Sequence, residues 1–345
     1  MKCTREKRKR IPLCFLLLGL LVCLQHGFRV RFPRGLELFT LAAERTGPVE
    51  VVDVDTFLSN EAVKRNRRVY FTQISSNEYA IGATMLACRL SRLNSTIPIV
   101  VLVDRPVSVD ALAFLKSIPN THLVRVTNPG RIASTKNETR VGTYNKLDAW
   151  RFENFAEVGV YLDADMIPLH DPLPLFDEFL GSKYKFGAVG TAEYFNSGMF
   201  VFKPSTLEYA TLIRRLKEGN YKKNLNDPTE QDLLIGHFAC GLKDSSEQKA
   251  CLSSPPETTR FINTTWNFRR RQGNMKATII HWIGNPKPWT KLLNRNSSIE
   301  DLRVDSIKFE PWFHKEFADA LHDVLSGQCS SPLQGEYGLP EDFLN

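Results

Sequence analysis

A chain of 345 residues, 42% hydrophobic and 24% charged, is long enough for one large α/β domain or two small ones with ample core. Its formal charge of +7 is uneven: residues 1–10 carry a net +5 and Arg29, Arg31 and Arg34 add three, which leaves −1 over residues 35–345. A nucleic-acid footprint needs positive charge clustered on the folded body, so nucleic acid is excluded as a partner.

In chain order, residues 1–10 read as a basic cytosolic tail. Ile11–Leu24 is apolar apart from two cysteines and extends to Phe28 if Gln25 and His26 sit at an interface. The following Cys-Leu-Gln-His-Gly-Phe is a poor cleavage site, so 11–28 is expected to be an uncleaved signal-anchor helix. The basic flank stays cytosolic and the body enters the lumen, a single-pass type II arrangement. So short a span suits the thinner membranes of the Golgi or endoplasmic reticulum. Sequons at Asn94, Asn137, Asn263 and Asn296 agree with a lumenal body. Residues 29–66 read as a stem, 67–327 as the main domain and 328–345 as a tail.

From Arg68 strands and helices alternate. The apolar patterns predict strands at Val69–Ile74, Ile97–Val103 and Leu123–Val126, with helices at Asn77–Leu93, Val109–Leu115 and Tyr144–Phe155. Val158, Val160 and Leu162 mark a further strand. Phe186–Gly190, Phe195–Phe202 and Ala277–Trp282 read as strands; Thr206–Leu216, Pro228–Phe238 and Phe309–Leu325 read as helices. Such alternation predicts an α/β sheet with helices on both faces and a ligand site beyond the carboxyl ends of its strands. Cys88, in an apolar helical stretch, reads as a buried free thiol. Cys240 and Cys251 flank a polar loop that a disulfide would close, worth roughly 3 kcal/mol.

The strand through Leu162 ends in Asp163-Ala-Asp165. Hard oxygen ligands at that spacing can share one Mg²⁺ or Mn²⁺, which bridges diphosphate oxygens and stabilises the charge of a departing nucleotide. Alone the pair is weak, because aspartates at strand ends also cap turns. It gains weight from its companions: TQISSNEYAIGA (72–83), TYNKLDAW (143–150), YLDADMIPLHDPLPLFD (161–177), FNSGMFVFKPS (195–205), DPTEQDLL (227–234) and HWIGNPKPW (281–289).

In this order the blocks resemble glycosyltransferase family 8, the glycogenin-like enzymes, over about residues 68–290. The resemblance implies a GT-A type nucleotide-diphospho-sugar transferase fold, a Rossmann-like mixed sheet with helices on both faces. It also implies a UDP-sugar donor, Mn²⁺ (Mg²⁺ second) and retention at the anomeric carbon. Asp163, Asp165 and His281 would hold the metal, the imidazole tilting the choice toward Mn²⁺. Gln73, Ser75, Ser76 and Tyr79 would take uracil and ribose, although Ser76 equally suits the cap of the next helix. Lys146 would pair with an acid beside the donor, with Arg140 and Ala164 nearby. Gly284 would admit phosphate close to the backbone and Lys287 would supply its counter-charge. Asn196, Ser197 and Glu230 would bind the sugar's hydroxyls. Asp227 and Gln231 would be catalytic, Asp227 also on those hydroxyls and Gln231 near the anomeric carbon. The family pattern often has Asn at Ser76 and Asp at Glu230.

Two other classes compete. A glycoside hydrolase also uses two carboxylates but leaves the HWIGNPKPW block without a purpose. A catalytically idle, membrane-tethered UDP-sugar or glycan-binding protein would keep the same residues. Glycogenin itself fits poorly, because no tyrosine lies between Tyr221 and Tyr337, where a self-glycosylated one would be expected. The acceptor is expected to be a glycan, glycolipid or glycoprotein.

Overall fold

The structure, a computed structural model, describes residues 49–60, 65–94, 96–104, 107–132, 138–190, 195–219, 229–240, 256–268, 277–283, 287, 289 and 311–330. The proposed anchor at 11–28 and the Cys240–Cys251 pairing fall outside them. Among the described residues no helix is long and apolar enough to cross a membrane.

The first half alternates as expected: β1 (Val52–Asp53), α1 (Val54–Ser59), β2 (Asn66–Ile74), α2 (Asn77–Leu93), β3 (Ile99–Val103), α3 (Val109–Lys116) and β4 (Thr121–Arg125). Then come α4 (Glu138–Thr143), a 3₁₀ segment over Tyr144–Asn154, β5 (Ala156–Leu162), β6 (Met166–Pro168) and α5 (Leu173–Phe179). The second half holds β7 (Phe186–Gly190), β8 (Phe195–Phe202), α6 (Thr206–Glu218), α7 (Glu230–Leu234, continued as a π-helical turn to Cys240), β9 (Thr259–Ile262), β10 (Ile279–His281) and α8 (Pro311–Leu325).

Eight strands form one sheet in the order β1-β4-β3-β2-β5-β8-β7-β9. The first five in that order run parallel, β8 is antiparallel to both β5 and β7, and β9 lies parallel to β7. Alternating side chains feed two cores. Tyr70, Val101, Val160 and Leu162 join the core under α2 and α3, while Phe71, Val100, Tyr161 and Phe200 join an aromatic core on the opposite face. In the latter Trp150 stacks on Phe200 at 5.2 Å and Phe238 at 5.8 Å.

Two features position the site. The chain leaves β2 for β3 on one side, while β5 flanks β2 on the other, so a crevice opens at the carboxyl ends of β2 and β5. Separately, β6 and β10 form a two-stranded antiparallel ribbon in which His281 lies opposite Met166.

Three readings from the sequence are corrected. Cys88 is not a free thiol: it is bonded to Cys329 across 241 residues, with Cα atoms 4.7 Å apart. Its apolar surroundings hid the partner, which the end of α8 brings onto α2. The stem does not run to residue 66, because Val52–Asp53 pairs in parallel with Val124–Arg125 and adds the edge strand. Nor does the fold stop at 327, since Cys329 belongs to that cross-link.

Candidate functional site

Backbone pairing sets the aspartates first. The Asp163 N–H donates to Gly198 O at 2.7 Å, which sews the end of β5 to the Asn-Ser-Gly start of β8. The Trp282 N–H donates to Asp165 O at 2.9 Å, which sews the same turn to the end of β10. Ala164 between them is buried, and its carbonyl oxygen packs where a side chain at Gly82 of α2 would collide with it and with Trp289. Asp163, Asp165 and His281 therefore converge, their ligand atoms all within 4.8 Å of one another.

The site holds more negative charge than its burial tolerates without cations. Asp165 and His281 are buried, whereas the Asp163 side chain keeps 29% exposure. Lys146, from the 3₁₀ segment, is buried and lies 3.3 Å from Asp163 Oδ1 and 2.9 Å from Glu230 Oε1, donating also to Ser197 O at 3.2 Å. Lys287 donates to Asp165 Oδ2 at 2.5 Å and to Trp282 O at 3.2 Å. Burial pushes the Asp163 carboxyl up, opposed by Lys146 and helped by repulsion from Asp165. Burial acts the same way on Asp165, but His281 and Lys287 outweigh it and hold that carboxyl well below the usual range. Burial likewise disfavours charge on Lys146, yet Asp163 and Glu230 raise its pKa above the ordinary lysine value.

These donors suit a divalent cation. Asp165 Oδ1 is buried without a hydrogen-bond partner among the described residues and faces His281 Nε2 at 3.2 Å. Two carboxylates and one imidazole nitrogen are a borderline-hard set for such an ion. Gly198 supplies the clearance, since a Cβ there would lie 2.5 Å from His281 Cε1 and 3.0 Å from Asp163 Oδ2.

The other expected residues distribute as follows. Ser76 Oγ accepts the Tyr79 N–H at 3.3 Å, the cap of α2. The Tyr79 ring lies 6.0 Å from Lys287 Nζ and edge-on to Trp289. Gln73 lies near the end of β2 and Ser75 just beyond it, and Gln73 Oε1 is buried without a hydrogen-bond partner among the described residues. Gln231 Oε1 accepts from the Ser197 N–H at 3.0 Å, and Glu230 Oε1 from Ser197 Oγ at 2.8 Å. Glu230 is buried and engaged by Lys146, so its carboxylate braces the site from behind. Asp227 and Gly284 lie outside the described residues, as does the side chain of Arg140 on α4. Two residues escaped the sequence reading. Tyr161 donates from its hydroxyl to Asp163 Oδ1 at 3.1 Å. Asn267 links Asn196 to His281, and its signal was a polar residue set between the aromatics Trp266 and Phe268.

The sheet order and the metal-competent turn define a GT-A fold. A profile of "Glycosyl transferase family 8" matches residues 72–292, and the chain belongs to that family. It is 27% identical over 228 residues to "Glycogenin-1" of Caenorhabditis elegans, covering 64% of this chain and 50% of that one. It is 28% identical over 248 residues to "UDP-glucuronate:xylan alpha-glucuronosyltransferase 2" of Arabidopsis thaliana, covering 68% of this chain and 37% of that one. The chain thus spans half or less of the length of these relatives. Among solved structures, galactosyltransferase LgtC in complex with donor and acceptor sugar analogs superposes with a TM-score of 0.52 at 18% identity, over 80% of this chain and 99% of that one; at this identity the likeness is one of fold.

Proposed function

We propose that this chain is a retaining glycosyltransferase that moves a hexose-type sugar from a UDP-sugar to a glycan, glycolipid or glycoprotein acceptor. The carrying observation is the convergence of Asp163, Asp165 and His281 within 4.8 Å. They would hold a divalent cation, Mn²⁺ first and Mg²⁺ second, which when bound neutralises charge developing on the diphosphate. Lys287 sits beside Asp165, placed to add a fixed positive charge for the leaving phosphate. Lys146 is ion-paired with Asp163 and Glu230 and offsets part of the negative charge beside the cation position. Asn196 and Gln231 line the strand end next to the cluster, where polar side chains orient sugar hydroxyls. A UDP donor and a glycan acceptor are supported by the name of the xylan glucuronosyltransferase relative.

The body is proposed to work in the Golgi lumen behind a type II anchor at 11–28. The Cys88–Cys329 bond supports this reading, since structural disulfides persist in oxidising compartments.

The test is a panel of UDP-sugars with the purified chain and Mn²⁺. One donor is expected to release UDP, chelation should stop it, and Asp163→Asn should lower the rate by roughly two to three orders of magnitude. No turnover with any donor, or full activity in Asp163→Asn, would overturn the reading.

A further inference from the structure

A chain of amides joins the start of β8 to the metal-side histidine. The Gly198 N–H donates to Asn196 Oδ1 at 3.0 Å, which identifies that oxygen as an acceptor. Asn267 Nδ2 donates to the same oxygen at 2.9 Å, so the other end of its amide, Oδ1, points at His281 Nδ1, 3.0 Å away. An amide oxygen can only accept, so His281 carries its proton on Nδ1. Its Nε2 is turned toward Asp165 Oδ1, 3.2 Å off. With Nδ1 held by the amide, Nε2 is the ring atom left to meet a cation shared with Asp165.

Asn267 is itself firmly held. It is 2% exposed and ends a 3₁₀ turn that Asn263 caps by accepting the Thr265 N–H. The next residue, Phe268, donates its N–H to Ile279 O at 2.9 Å and accepts from the His281 N–H at 3.0 Å. The turn is therefore pinned to the strand that carries the histidine.

We propose that Asn267 is a positioning residue. It fixes the tautomer and ring orientation of His281 and couples that ligand to Asn196, which the proposed function places at the donor sugar. The metal and donor consequences rest on that function; the tautomer does not. The side chain must be an amide. A carboxylate would still accept from Nδ1–H, but would add negative charge beside two aspartates and oppose an oxygen to Asn196 Oδ1.

Two variants of the full chain separate these roles. Nitrogen NMR of ¹⁵N-histidine-labelled, metal-free protein, assigned with His281→Gln, should show His281 protonated on Nδ1 in the wild type and on Nε2 in Asn267→Leu. Paramagnetic resonance should find Mn²⁺ binding about 10–100-fold weaker in Asn267→Leu. Asn267→Asp should keep Mn²⁺ affinity within about 3-fold while raising the UDP-sugar KM at least about 10-fold, the split expected when the link to Asn196 is lost but the acceptor for His281 remains. The proposal is overturned if Asn267→Leu keeps the Nδ1–H tautomer and wild-type affinity, or if Asn267→Asp leaves KM unchanged. Should Asn267→Leu fail to fold by near-ultraviolet dichroism, the split in Asn267→Asp and the wild-type tautomer decide. A wild type that takes up no Mn²⁺ sinks the proposed function, and the tautomer measurement still judges the role of Asn267.

Discussion

At Gly198 three side chains crowd one backbone position. A Cβ there would lie 2.5 Å from His281 Cε1, 2.8 Å from Asn196 Oδ1 and 3.0 Å from Asp163 Oδ2, closer than side-chain atoms pack. Gly198→Ala is therefore expected to fold yet displace a metal ligand, weakening Mn²⁺ binding by about 10-fold or more in a paramagnetic-resonance titration. Unchanged affinity would show that the imidazole has room to retreat. The same residues show what a sequence discloses at this scale. Asp163 and Asp165 could be picked out because cation binding dictates residue type and a short spacing, and His281 followed only from the resemblance of its block to the family. Lys146 was expected to meet one acid but meets two, Asp163 and Glu230. Asn267 was missed because its role depends on Asn196, 71 positions earlier, and His281, 14 later, which meet only after the sheet and the ribbon close.

Among the elements, those with strong alternation were read almost to the residue: Asn77–Leu93 as α2, Phe186–Gly190 as β7 and Phe195–Phe202 as β8. Tyr144–Phe155 was expected as a helix, but Tyr144–Asn154 winds as 3₁₀. Tyr144 through Trp150 are buried, as is Phe152, so the segment has no solvent-facing stripe to mark an α-helical period. The edge strand β1 is two residues long, too short to alternate. Its neighbour β4 carries a testable group. The His122 ring packs edge-on to Phe57 at 5.6 Å and Phe155 at 5.7 Å. Burial, then the charge of Lys116, lower its pKa below the ordinary 6.5. The unfolded chain therefore takes the proton first as pH falls. The stability tied to neutral His122 is complete above pH 6.5 and declines as pH drops through that value toward the lowered folded one. Urea midpoints at pH 7.5 and 5.5 are expected to fall further apart in the wild type than in His122→Phe. His237, whose pKa burial also lowers, contributes with the same sign to both proteins, so only the difference between them bears on His122. Equal spacing would remove the role.

For the molecule as a whole, the C-terminal helix fastens the site from outside. Helix α8 packs Phe317 and Leu321 into a cluster with Met85 of α2, Ile280 of the ribbon, Trp282 and Trp289. Asp323 of α8 is ion-paired with Arg92 and lies 3.7 Å from Arg89, both on α2. Beyond it, Cys329 is bonded to Cys88. The cluster thus spans the helix that begins at Asn77 and the strand that presents His281, so loosening α8 should reach the cation ligands. Closing 241 residues of chain restricts the unfolded ensemble strongly, and losing the bond is expected to cost roughly 2–5 kcal/mol. Calorimetry should show Cys329→Ser melting on the order of 5–10 °C below the oxidised wild type. Reductant should lower the wild type by more than it lowers the variant, which lacks the Cys88–Cys329 bond to lose. If the cluster links the two parts, Mn²⁺ affinity falls in step with that loss of stability. A lower melt with unchanged affinity would confine the cross-link to α2 and α8. A wild-type melt indifferent to reductant would show that packing alone holds the helix in place.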